Sequence, residues 1–119
     1  MTDYAKYHES EEYIHVWFYN ENDKPFRIGE KMNELNDEAY MNGYNWDAVL
    51  NYYLTKNAPD VMESMDADPE AGSYVAIYPN TPENLLRAQK FVGIIQHLIE
   101  NEELLYKMVV EASDEIEWD

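Results

Sequence analysis

From Glu11 to Tyr19 the chain alternates Ile14, Val16 and Phe18 with Tyr13, His15, Trp17 and Tyr19. A period of two in β-branched and aromatic residues predicts a strand, because successive side chains leave a pleated backbone on opposite faces. Both sets are apolar or aromatic, so the expectation is a strand covered on both faces. Asn20 to Pro25 is turn chemistry, and Phe26 and Ile28 flanking Arg27 predict a short partner strand closing a hairpin. After Gly29 the spacing changes. Met32, Leu35, Ala39 and Tyr40 recur near the helical period, with Glu30, Glu34, Asp37 and Glu38 filling the other positions. Asn42-Gly43 breaks that helix, with Gly43 as a left-handed stop. Asn45 is the expected cap of the next helix, and Asp47 in its first turn complements the positive end of the dipole. Trp46, Val49, Leu50, Tyr53 and Leu54 then fall at i, i+3, i+4, i+7 and i+8, one apolar stripe. Pro59 ends the helix by disfavouring helical geometry at Ala58.

Asp60 to Met65 reads as one more helical turn with Val61, Met62 and Met65 inward, and Asp66 to Gly72 as a loop. Ser73 to Tyr78 predicts a second strand that stops at Pro79. Thr81 as N-cap and Pro82 at the first helical position open the longest helix. Its apolar face is Leu85, Ala88, Val92, Ile95 and Ile99, with Phe91, Ile94 and Leu98 alongside. Gly93 inside that helix costs about 1 kcal/mol against Ala, which points to close approach of another backbone. Asn101 is expected to cap a last helix with the stripe Leu104, Leu105, Met108, Val109 and Ala112. In the tail, Ile116 and Trp118 alternate with acids, a pattern for an edge strand or a surface wrap. The elements together predict an α+β fold in a single domain over 1–119: a small, mostly antiparallel β-sheet packed against about four α-helices.

Composition narrows the function. Among 119 residues, 25 Asp and Glu against 8 Lys and Arg leave a net charge of −17. Phosphate backbones are bound by clustered Lys and Arg, which are missing here, so nucleic acid is excluded as a partner, and an anionic membrane equally. A cationic protein fits such a surface, although the charge also serves solubility. With no Cys there is no disulfide, thiolate nucleophile or Cys-bound zinc. No apolar leader or bilayer-length segment is seen, so the expected location is cytoplasmic.

Candidate chemistry is thin. His8, His15 and His97 show no metalloprotease spacing, and His15 reads as a structural residue of the aromatic strand. Asp66, Asp68 and Glu70 stand at i, i+2 and i+4, but Gly72 is one place late for a calcium hand and Ile77 occupies the bidentate-Glu position. The expectation is therefore no metal, no cofactor and no catalytic set, with those acids as a solvated turn or a partner contact. Of the eleven tyrosines, Tyr44 and Tyr52 fall off the apolar stripe and suit an interface. The expected partner-binding set is Tyr44, Tyr52, Asp66, Asp68, Glu70, Glu117 and Trp118. The alternatives are a small hydrolase using carboxylates and a scaffold that oligomerises through a sheet edge at Ile116 to Trp118.

Asn42-Gly43-Tyr44-Asn45-Trp46-Asp47, the helix ending near Pro59-Asp60, and Asp68-Pro69-Glu70-Ala71-Gly72 entering a strand together resemble the immunity protein 51 family, antidote proteins of bacterial polymorphic toxin systems. The resemblance runs from about Glu30 to the C-terminus. It departs at Ser73-Tyr74, where a bulkier apolar residue is expected beside the glycine, and at Ala67, where the family more often has an aromatic. What it implies is an intracellular protein that binds and blocks a cognate toxin domain. If that toxin is a nuclease, its cationic cleft complements this acidic surface.

Overall fold

The computed structural model describes residues 4–119. In chain order these form β1 (Ala5–Glu9), β2 (Tyr13–Phe18), α1 (Asp23–Leu35), α2 (Gly43–Asn57), a 3-10 turn (Pro59–Met62), β3 (Asp66–Pro69), β4 (Tyr74–Pro79), α3 (Pro82–Glu100), α4 (Glu102–Glu111) and a second 3-10 turn (Ser113–Glu115). The strands make one antiparallel sheet in the order β1-β2-β4-β3. The fold is the expected α+β.

The partner of β2 is not a strand at Phe26 to Ile28. Those residues lie in α1, and β1 pairs with β2 instead, from Ala5 opposite Phe18 to Glu9 opposite Ile14. The turn-forming residues act as a helix entry. Asn22 is the N-cap, and Pro25 sits in the first turn, where its missing N–H has no intrahelical acceptor to lose. Alternation failed to reveal β1 because Lys6, Tyr7, His8 and Glu9 on this edge strand are all exposed.

Asp66 to Pro69, read as loop, is likewise a strand, pairing with β4 from Asp66 opposite Ile77 to Pro69 opposite Tyr74. It is an edge strand, so Asp66 and Asp68 stay in water and Pro69 ends it.

α2 and α3 pack on one face of the sheet, and α1 and α4 pack against α3 and each other. On that face Ile14, Val16 and Phe18 of β2 and Tyr74, Ala76 and Tyr78 of β4 are fully buried. Trp46 of α2 meets Phe18 edge-on at 4.9 Å, Phe91 of α3 meets Tyr74 at 6.0 Å, and the Tyr78 hydroxyl donates to the Val61 carbonyl at 2.6 Å. Each such large side chain, once buried, contributes about 1.5–3 kcal/mol. Ala88, Ile95, Leu98 and Ile99 of α3 complete the layer with Leu105 and Val109 of α4. The expected cover on both faces of β2 is not there. His15, Trp17 and Tyr19 remain partly exposed and Tyr13 exposed, stacked on one another at 6.3 and 6.0 Å rather than under a helix.

Several end signals are displaced. Thr81 caps α3 as expected, accepting from Asn84 N at 3.1 Å. The cap of α2 is Asn42, whose Oδ1 accepts from Asn45 N at 3.0 Å, one turn earlier than the expected Asn45. Gly43 has no positive φ and opens α2 rather than stopping α1, which ends at Leu35. Leu35 and Tyr40 are exposed, while Met32 and Ala39 are core. Asn101 precedes α4, but its Nδ2 donates to the His97 carbonyl at 2.8 Å, closing α3. The tail wraps the surface, with Ile116 buried, so it offers no edge strand for a scaffold. Among the described residues no helix is long and apolar enough to cross a membrane.

Candidate functional site

The site begins at Gly43. Its N–H donates to the Ala71 carbonyl at 2.9 Å, and a Cβ there would lie 1.8 Å from the Glu70 carbonyl oxygen and 2.4 Å from that of Ser73. Only glycine lets the start of α2 lie against the turn between β3 and β4. The two short motifs, 42–47 and 68–72, are thus physically docked on each other. The glycine expected to mark such an approach, Gly93, is exposed with nothing within 4 Å of an added Cβ.

The C-terminal tail closes the third side. Asp119 N donates to Asn45 Oδ1 at 2.8 Å, and Trp118 Nε1 to Ser113 Oγ at 3.2 Å. Asn45 also donates from Nδ2 to the Tyr40 carbonyl at 2.8 Å, so one buried amide ties the tail to the entry of α2. Between α2, Pro69 and the tail runs a groove of about 660 Å³. Its walls include Tyr44, Asp47, Asn51, Tyr52, Glu115, Glu117, Trp118 and Asp119.

Asp47 lies past the first turn of α2 and does not serve the helix dipole. Burial pushes its carboxyl above the usual range, partly offset by a hydrogen bond from Asn51. Its Oδ1 is buried with no protein partner. At the mouth, Lys56 pairs with Glu115 at 3.1 Å and lies 5.3 Å from the centre of the Tyr52 ring. The hydrogen bond to Glu115, with that carboxylate's charge, raises the lysine above its ordinary value. Asp47, Glu115, Glu117 and Asp119 against the single Lys56 leave the groove anionic. An arrangement of carboxylates and amphipathic rings suits a cationic or hydrogen-bonding protein surface.

Of the expected partner-binding residues, Tyr44, Tyr52, Glu117 and Trp118 meet in this groove although up to 74 positions separate them in sequence. Asp66 and Asp68 do not join them; they project from β3 on the face of the sheet away from the helices. Glu70 is exposed in the turn that Gly43 abuts. Among the described residues no three His, Asp or Glu gather as a metal ion's ligands would. Asp47, Asn51, Glu115 and Asp119 were not anticipated. The signal was available in part: Tyr44, Asp47, Asn51 and Thr55 recur at helical spacing, a polar stripe beside the apolar one.

The model of one protein family, Immunity protein 51, matches residues 6–114. No curated protein and no solved structure matches the chain at a significant level. The family match reaches further towards the N-terminus than the short motifs do, taking in β1, β2 and α1. Its span over most of the 119 residues, together with the docking of the two motifs through Gly43, leads to one conclusion: the chain belongs to the Immunity protein 51 family.

Proposed function

We propose that this immunity protein binds a cognate toxin domain in the cytoplasm and neutralises it through the acidic, tyrosine-bearing groove between α2, β3 and the tail. The observation that carries the reading is the convergence of Tyr44, Tyr52, Glu117 and Trp118 in one anionic wall. Aromatic side chains provide contact area at low entropic cost, and the carboxylates favour a basic partner surface such as a nuclease cleft. No covalent step by this chain is needed, since occupying the cleft excludes the toxin's substrate. A carboxylate hydrolase wants a histidine near converging acids, and no histidine lines this groove.

The test is association with the toxin domain encoded beside this chain. The wild-type chain is expected to bind it and suppress its activity, with an association rate that falls steeply between low and physiological salt. Trp118→Ala and Tyr52→Ala are each expected to cost about 1–2 kcal/mol of binding, and Glu117→Lys to slow association. Unchanged affinity in all three variants removes the groove from the interface.

A further inference from the structure

The face of the sheet turned away from the helices is ordered in a way the groove does not explain. Residues paired across an antiparallel sheet share a face, so the register sets rows running across all four strands. One row reads Lys6 on β1, Trp17 on β2, Val75 on β4 and Asp68 on β3. The next reads His8, His15, Ile77 and Asp66. Each passes from a basic side chain through an aromatic ring and an aliphatic chain to a carboxylate. Trp17 and Ile77 stand outside the core cluster, and Val75 between them is buried although it lies on this outer face. Lys6, His8, Asp66 and Asp68 are exposed, and His15, Trp17 and Ile77 partly so.

Such a row is complementary to its own reversal. A two-fold axis running along the strands, midway between β2 and β4, lays β1 of one copy over β3 of another and keeps every row at its own height. Lys6 then faces Asp68 of the second copy and His8 faces Asp66, while the partly exposed Trp17, His15 and Ile77 form the apolar middle of the contact. Aligned sheets pack face to face within roughly 30° of one another and about 10 Å apart, the arrangement this axis produces. We propose that this outer face is a self-association surface whose occupant is a second copy of this chain, forming an isologous dimer.

A general protein partner is less well matched. It would have to present acids opposite Lys6 and His8 and bases opposite Asp66 and Asp68 at the spacing this chain already carries. With strands about 4.8 Å apart and about 3.4 Å per residue, the face covers roughly 400 Å², below the ~800 Å² per partner of stable complexes. The dimer is therefore weak and forms only at high protein concentration. It leaves the α2–tail groove free on each copy, so its success or failure is independent of toxin binding.

The experiment is sedimentation equilibrium of the full chain from about 5 µM to about 1 mM at ~150 mM salt, where the Debye length of about 8 Å damps the repulsion between two net-negative copies. The wild type is expected to move from monomer to dimer. Lys6→Asp and Asp68→Lys, both at exposed positions, should each weaken the dimer at least about ten-fold. Mixing the two variants should restore it, because positions 6 and 68 again face each other with opposite charge, and so should both substitutions in one chain. Circular dichroism confirms that each variant is folded. A wild-type monomer throughout the range overturns the proposal. So does a dimer indifferent to either substitution, or a loss that mixing does not repair.

Discussion

The two faces of the central strand pair are nearly equal in apolar character and opposite in fate. Ile14, Val16, Phe18, Tyr74, Ala76 and Tyr78 are wholly buried under α2 and α3, while on the other side only Val75 is buried and His15, Trp17, Tyr19 and Ile77 remain partly in water. Hydrophobicity alone does not separate them. The difference comes from where the helices can land, and the seat of α2 is decided by one missing methyl group at Gly43. A strand pattern therefore reports that side chains alternate, not which set is covered.

The most disruptive way to break this contrast is Phe18→Ala, which empties the contact with Trp46 beneath the helices. It is expected to cost about 3–5 kcal/mol, read from the urea midpoint. Gly43→Ala follows at about 2–3 kcal/mol, because the atoms in the way are backbone carbonyls that have nowhere to move. A thermal melt checks it, and an unchanged midpoint would mean that α2 is not seated as described. In the helix layer Gly93 provides the counterpart on open surface. Gly93→Ala is expected to raise stability by up to about 1 kcal/mol, since helix propensity improves and the new methyl meets nothing. The smallest effect belongs to the uncovered face. Trp17→Ser, unfolded at concentrations low enough for a monomer, should lose less than about 1 kcal/mol, the scale of cross-strand pairs on a solvated sheet. A loss comparable to that of Phe18→Ala would place a covering element on that face.

The elements read well where burial and local pattern agree. β2, β4, α3 and α4 were each legible from apolar spacing, and Pro59, Thr81 and Pro82 marked ends that the structure keeps. The edge strands were not. β1 and β3 are polar because an edge must be, and polarity in sequence looks the same in an edge strand as in a loop. Asn20 to Pro25 misled for a related reason: Asn and Asp before Pro begin a turn or a helix equally well, and only packing against α4 and α3 selected the helix. Of the candidate groove, Tyr44, Tyr52, Glu117 and Trp118 are each legible in the sequence as single residues. That they share a groove with Asp47 and Asn51 depends on the tail reaching Asn45, a contact across 74 positions that no local pattern carries.

By itself the sequence determined the α+β class, the net negative charge, most of the helices and the motifs shared with the Immunity protein 51 family, because these follow from side-chain chemistry at short range. The tertiary structure alone decided which sheet face is covered, which glycine is indispensable, and which acids and rings stand together. Those outcomes depend on excluded volume and hydrogen bonds between segments far apart in the chain, and such terms acquire a value only once the backbone has closed on itself.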